Sequence, residues 1–389
     1  MAYNVGDYVN GYRIKKPING GGMSLVYLAE STSSNELNKN VIIKLISKSK
    51  IEHDNGHNAK GIDGQWKKAI DELKLTYQIF TKTHENIAKP ILWTTTEDLE
   101  NIIIITEFVD GPTLSEYIRK QRALKIDRAM FYFKNICQGV KHLHQINEKR
   151  TIIHRDLKSD NIMLSKDLRQ IKIIDYGIAT SIYDNVFESS EGTIYCTANY
   201  TTPDILQLKT SIITKAMEGD PKAMKEMASI LSVQFDFHAL GVILYEMLTG
   251  SYVFREIENE NDRTKIAKWK TYDLPILSNR IANIPNSIDN ILFRLTASKP
   301  EDIKYRYKNI DEIIADINTW DDPARKNEPL LKPVEKRKFE QPDVFDIEKL
   351  KGTESWYSKW WVFILVNCSS IIVLLLTIII IVLIVIGKL

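Results

Sequence analysis

Residues 152–164, "IIHRDLKSDNIML", set Asp156, Lys158, Asp160 and Asn161 between two apolar runs. That is more polar chemistry than a short loop needs for its own stability. Asp156 can accept a hydroxyl proton or orient the hydroxyl. Lys158 can reach a transferring phosphoryl group, and Asn161 can offer an amide oxygen to a metal ion. Farther along, "IKIIDYGIAT" reads as a strand ending in Asp175, where an exposed carboxylate can bind Mg2+ bridging phosphates.

The N-terminal part supplies matching groups. In "INGGGMSLVYLAES", residues 18–31, Gly20, Gly21 and Gly22 lie between two β-type runs, a backbone able to approach phosphate oxygens and offer N–H groups to them. Taken alone it also reads as an ordinary Gly-rich hairpin turn. "VIIKLI" then puts Lys44 in an apolar strand, where an ammonium is costly unless an anion meets it, phosphate or carboxylate. For a carboxylate, Glu72 on the following helix is the first choice, with Asp71 and Glu85 as rivals; a solvated helix face is the plain reading of Glu72. Two metal ligands, a base and two lysines converge on a nucleoside triphosphate.

The elements that must position these groups fall in two blocks. Residues 10–48 alternate short β-rich runs around the Gly-rich turn and predict antiparallel hairpins. "QWKKAIDELKLTYQIF" follows with helical spacing, and "NIIIITEFV" reads as a buried strand. After "DGPT" the pattern is helical, in "LSEYIRKQ", "RAMFYFKNICQGVKHLHQI" and "FHALGVILYEML". The expected class is α+β and bilobal, β-rich before about residue 110 and helical after it. Residues 205–233 add a local helix, and 321–358, charged and Pro-containing, read as a juxtamembrane linker. No internal repeat is visible.

Fifty-two basic against fifty acidic residues give a net charge of +2, which argues against nucleic acid as a partner and leaves any charge selectivity local. Cys137, Cys196 and Cys368 stand far apart with no CxxC, so no disulfide framework or cysteine zinc site is readable. His53 and His57 lie in a Gly- and Asn-rich stretch without a third ligand and read as solvated loop. The N-terminus has no secretory signal pattern. Residues 361–386 carry no formal charge, and as a helix they reach about 39 Å, enough to span a bilayer of ~30 Å with tilt. Trp356, Tyr357, Trp360 and Trp361 form an aromatic group at its start. Lys349, Lys351 and Lys359 precede it and Lys388 alone follows, which places the N-terminal side in the cytoplasm. The expectation is a single-pass cell-membrane protein in contact with the lipid bilayer.

In order and at these spacings, Lys44, "ITEFVDGPTL", "HRDLKSDN", "DYG", "TTPD" and "DFHALGVILYEMLTG" resemble the bacterial eukaryotic-like (Hanks-type) serine/threonine protein kinases, from about residue 8 to 318. The resemblance implies a kinase domain over 8–320, with lobes 8–109 and 110–320, using ATP with Mg2+ or Mn2+ on protein substrates. It implies that Asn19, Gly20, Gly21, Gly22, Met23, Ser24 and Val26 cover the nucleotide. It also implies that Lys44 holds the α and β phosphates and pairs with Glu72, and that Glu107 and Val109 line the adenine hinge behind gatekeeper Thr106. Asp156 becomes the catalytic base, Lys158 the γ-phosphate contact, and Asn161 and Asp175 the metal ligands. Asp236 would brace the catalytic loop and Arg306 would pair with Asp204. Lys158 separates this pattern from tyrosine kinases; together with "TTPD" it also separates it from small-molecule phosphotransferases of the aminoglycoside type.

The pattern departs from the family at Asn19 and Ser24, where the loop usually carries glycine, at "DYG" for DFG and at Asp204 for glutamate. The helix bearing Glu72 also runs about three residues longer than usual before "HENI". No residue needed for the chemistry is missing. A catalytically weak ATP-binding scaffold at the membrane is the alternative. Arg155 beside Asp156 points to an activation segment ordered by phosphate, with Ser189, Ser190, Thr193 and Thr197 as candidate acceptors; the register leaves Thr193 or Thr197 as the substrate-facing threonine. With no sensor repeats after the span, activation by forming a homodimer is expected.

Overall fold

The computed structural model describes residues 2–18, 24–33, 40–49, 82–146, 151–175, 199–203, 220–223, 232–251, 274–279 and 281–332, together with Trp66, Ile70 and Lys215. Strands β1 (Tyr8–Val9), β2 (Tyr12–Ile18), β3 (Ser24–Ser31), β4 (Asn40–Ser47), β5 (Pro90–Thr95) and β6 (Asn101–Glu107) form one antiparallel sheet in the order β1-β2-β3-β4-β6-β5. Its centre is made of the runs richest in β-branched residues, "NVIIKLIS" and "NIIIITE". Side chains alternate across it. Tyr12, Ile14, Tyr27, Ala29, Val41, Ile43, Leu45, Ile103 and Ile105 form the core on one face. On the other face Val26 stands opposite Lys44, and Lys44 opposite Ile104, with Thr106 opposite Ile42 one pleat along. This alternation gathers Val26, Lys44 and Thr106 on the less covered face.

Of the helix expected after β4, Trp66 and Ile70 are described; both are helical and buried, and the Trp66 indole N–H donates to the Leu99 carbonyl at 2.5 Å. Asp71 and Glu72 lie outside the described residues.

The second lobe contains α1 (Leu114–Gln121), α2 (Ile126–Gln145), α3 (Gln234–Thr249), α4 (Asn286–Thr296), α5 (Ile310–Ile317) and a short hairpin of β7 (Ile162–Leu164) and β8 (Ile171–Ile173). Helix α3 is buried at every position from Phe235 to Leu248, which makes it the central post, with α2 and α4 packed on it and α5 on α2. The connection between lobes needs a glycine. A Cβ at Gly111 would stand 2.0 Å from the Leu164 carbonyl oxygen, because the hinge passes directly over β7, where Leu164 donates its N–H to the Pro112 carbonyl at 2.9 Å. Helix α1 then starts on a reciprocal cap. Thr113 Oγ1 accepts the Glu116 N–H at 3.1 Å, and the Glu116 carboxylate accepts the Thr113 N–H at 3.0 Å.

The packed body continues past residue 320. Asn290 on α4 donates to the Glu328 carboxylate at 2.9 Å and the Pro329 carbonyl at 3.0 Å and accepts the Leu331 N–H at 2.9 Å. Lys332 then closes the segment in a buried ion pair with Asp302. Among the described residues no helix is long and apolar enough to cross a membrane, and 333–389, with the expected span, lie outside them.

Candidate active site

The loop 152–161 is shaped from beneath by one carboxylate. Asp236, in the first turn of α3, is fully buried; its oxygens accept the His154 N–H at 2.8 Å, the Arg155 N–H at 3.0 Å and the His144 Nε2 proton at 2.8 Å. Burial alone would raise its pKa. The hydrogen bond and charge of His144, joined by His154, outweigh that and hold the carboxyl below its ordinary value. Arg155 takes φ 62°, the left-handed region, so the chain reverses there and turns Asp156 outward.

Asp156 retains 39% side-chain exposure against 0% for Asp236, which separates an accessible carboxylate from a buried brace. Its carboxylate lies 2.9 Å from Lys158 Nζ and 3.0 Å from Asn161 Nδ2. Asn161 also donates to the Asp156 carbonyl at 2.7 Å. Committing the amide nitrogen twice fixes the orientation of Asn161 and leaves its oxygen as the acceptor for a cation. The Asn161 carbonyl receives the Ile174 N–H at 2.9 Å, one residue before Asp175. Asp175 sits at φ 57° and pairs with Lys44 across the cleft at 3.0 Å. An oxygen-rich pair, Asn161 and Asp175, flanked by ammonium groups suits a hard divalent cation shared with phosphates.

Thus Lys44, Asp156, Lys158, Asn161 and Asp175 are brought together, and Val26 and Thr106 share the sheet face above them. Ser24 is 8% exposed on that same sheet. Glu107 is placed differently from a cleft-lining side chain: its carboxylate binds Lys172 Nζ at 2.5 Å and the Lys89 N–H at 2.6 Å, so at this hinge position only the backbone is left to face a base. Glu85, the rival partner for Lys44, is exposed in the turn before Ile87. Asn19 to Met23, Glu72, Tyr176, Gly177, Ser189, Ser190, Thr193, Thr197 and Asp204 lie outside the described residues. Arg306 donates to the Ala297 carbonyl at 2.5 Å.

A second support was not visible in the sequence. Ser159, one residue after Lys158, meets the Tyr200 hydroxyl at 3.0 Å, and Tyr200 donates to the Glu246 carboxyl on α3 at 2.7 Å. Burial pushes Glu246 up to about 8, although hydrogen bonds from Tyr200 and Ser159 oppose the rise. The folded chain therefore binds a proton here that the unfolded chain releases above about 4.5. Stability from this group is full below pH 4.5 and falls away as pH rises through 8. Glu246→Gln is expected to remove that slope. Denaturant melts at pH 6 and pH 9 should show the variant gaining on the parent at pH 9, on the order of 3 kcal/mol, because the slope of about 1.4 kcal/mol per pH unit acts only over the two units from pH 6 to about 8.

The chain matches the protein kinase domain over residues 12–302. It is 31% identical over 383 residues to a protein of Mycoplasma genitalium, provisionally named a serine/threonine-protein kinase, with 92% of each chain covered. It is also 28% identical to the serine/threonine-protein kinase PrkC of Bacillus subtilis, covering 83% of this chain and 43% of that one. The crystal structure of the Mycobacterium tuberculosis PknI kinase domain superposes with a TM-score of 0.51 at 16% identity, covering 82% of this chain and 99% of that one, which supports the fold. The chain belongs to the protein kinase family and is a bacterial Hanks-type serine/threonine protein kinase.

Proposed function

We propose that the protein transfers the γ-phosphoryl group of ATP, with Mg2+ or Mn2+, to serine and threonine hydroxyls of proteins, its own activation segment among them. The observation that carries this reading is the facing of two sets of groups. Asp156, with Lys158 at 2.9 Å and Asn161 at 3.0 Å, lies on one side, and the Lys44–Asp175 pair at 3.0 Å on the other.

In this reading Asp156 receives the substrate hydroxyl against its carboxylate and takes the proton as the oxygen attacks. Lys158 holds Asp156 in place and stands ready to share its charge with the phosphoryl group in flight. Lys44 exchanges Asp175 for nucleotide phosphates, and Asn161 and Asp175 hold the cation, which when bound neutralises phosphate charge. Residues 361–386 anchor the chain in the cell membrane with the kinase domain in the cytoplasm, and dimerisation brings one activation segment to its neighbour's site.

The test is label transfer from γ-labelled ATP by the full chain, assayed in membrane pellets before and after alkaline carbonate washing, beside Lys44→Met. Label on Ser189, Ser190, Thr193 or Thr197, retained in the washed pellet and reduced at least about 100-fold in the variant, is the expected result. Thermal stabilisation by ATP without any transfer would instead identify an ATP-binding scaffold.

A further inference from the structure

Away from the cleft, loop 82–86 and α2 border a recess of about 270 Å³ lined by Lys82, His84, Gln138, Lys141 and His142, and among the described residues no carboxylate lines it. The two imidazoles stack at 4.9 Å and 28°. Their protons are assigned by their neighbours. His84 Nδ1 accepts the Asn86 N–H at 3.1 Å, so His84 carries its proton on Nε2. His142 Nε2 lies 3.1 Å from the Lys82 carbonyl and donates to it, leaving the Nδ1 lone pair of His142 open to a second proton. Burial, and then the neighbouring His142, lower the pKa of His84, with Glu85 acting in the opposite sense.

Among the described residues, the charges around this pair are Lys82 and Glu85 on the loop, Lys141 on α2 and Asp311 on α5. Asp311 is occupied by Lys141 at 2.5 Å and Gln145 at 2.8 Å. Lys82 makes no ion pair among the described residues. A ligand here would therefore meet one uncommitted ammonium, one fixed imidazole N–H, a carboxamide, and a second imidazole that gains a donor on protonation. That donor set matches a tetrahedral dianion.

We propose that this recess binds a small phosphate dianion, inorganic phosphate or a phosphomonoester, through Lys82, His84, His142 and Gln138, and that binding clamps loop 82–86 onto α2.

The clamp bears on the active site through direct contacts. Two residues past His84, Asn86 accepts the Ile173 N–H at 2.9 Å, and Ala88 donates to the Ile173 carbonyl at 2.9 Å. On the α2 side a Cβ at Gly139 would stand 2.8 Å from Ile173 Cδ1 and 3.0 Å from the Asn86 carbonyl oxygen. Loop, helix and β8 are thus in mutual contact two residues before Asp175. Stiffening the loop on α2 steadies the strand that leads into this carboxylate.

The test uses the full chain with 15N-labelled histidine, its nucleotide cleft saturated with a non-hydrolysable ATP analogue and Mg2+. Inorganic phosphate, glycerol phosphate, sulfate and chloride are titrated at constant ionic strength, and the His84 resonance is assigned by its loss in His84→Gln. Saturable upward movement of the His84 titration midpoint with phosphate or glycerol phosphate is expected, and chloride should leave it unmoved. Movement with inorganic phosphate alone would restrict the ligand to the free ion; movement with both would admit monoesters. Lys82→Ala, on an exposed position, should weaken binding about tenfold, the loss of one charge-assisted hydrogen bond. A midpoint indifferent to phosphate, an equal response to chloride, or unchanged affinity in Lys82→Ala overturns the proposal.

Discussion

Asp156→Asn should lower phosphoryl transfer by roughly 10²–10⁴-fold, the range supplied by a positioned base, while ATP still stabilises the fold. Asparagine preserves the shape and can still accept from Asn161, which now lies 3.0 Å from the carboxylate. It removes the charge that holds Lys158 at 2.9 Å and the site to which a hydroxyl proton would go. The effect should therefore appear in kcat, with KM for ATP changed little, because Lys44 and Asp175 are untouched. Steady-state rates and nucleotide-dependent melting of the same preparation check both halves. Transfer within tenfold of the parent would remove Asp156 from the role of base.

Asp236→Ala should cost about 3–5 kcal/mol of stability, because it strands three donors at once, the buried His154 N–H and His144 ring and the part-buried Arg155 N–H. Asp236→Asn retains an acceptor and should fall between the two. A carboxyl held below its ordinary pKa contributes its stability above the unfolded value of 3.8 and loses it as pH falls through the lower folded one. The destabilisation of Asp236→Ala should therefore be constant across neutral pH and shrink only in strong acid, as read by denaturant melts from pH 3 to 8. A loss under 1 kcal/mol at neutral pH would mean that the loop is held by other contacts.

Much of the catalytic side was legible in the chain. Asp156, Lys158 and Asn161 lie within six consecutive residues, and Asp175 follows two residues after the next strand, so their meeting depends on local geometry. The sheet was legible for a similar reason. Alternation with a period of two puts Lys44 and Val26 on one face once the β3–β4 register is set.

Other parts could not be read locally. The two supports of the catalytic loop, Asp236 with His144 and Glu246 with Tyr200, join residues 92 and 46 apart in sequence. Glu107 stands at the expected hinge position, and its carboxylate partner, Lys172 on β8, lies 65 residues away in sequence. The charged, Pro-containing composition after residue 320 reads as a juxtamembrane linker, and Asn290 and Asp302 offer buried polar partners that bind its first part as far as Lys332.

The sequence alone determined the chemistry-bearing residues, their order and the two-lobed class, since motif spacing and hydrophobic period act over a few residues. Only the tertiary structure decided which buried polar groups are satisfied by which partners: His144 and the loop N–H groups for Asp236, Tyr200 for Glu246 and Lys172 for Glu107. In a low-dielectric interior an unpaired polar group is costly, and its partner is supplied by packing between helices and strands far apart in the chain.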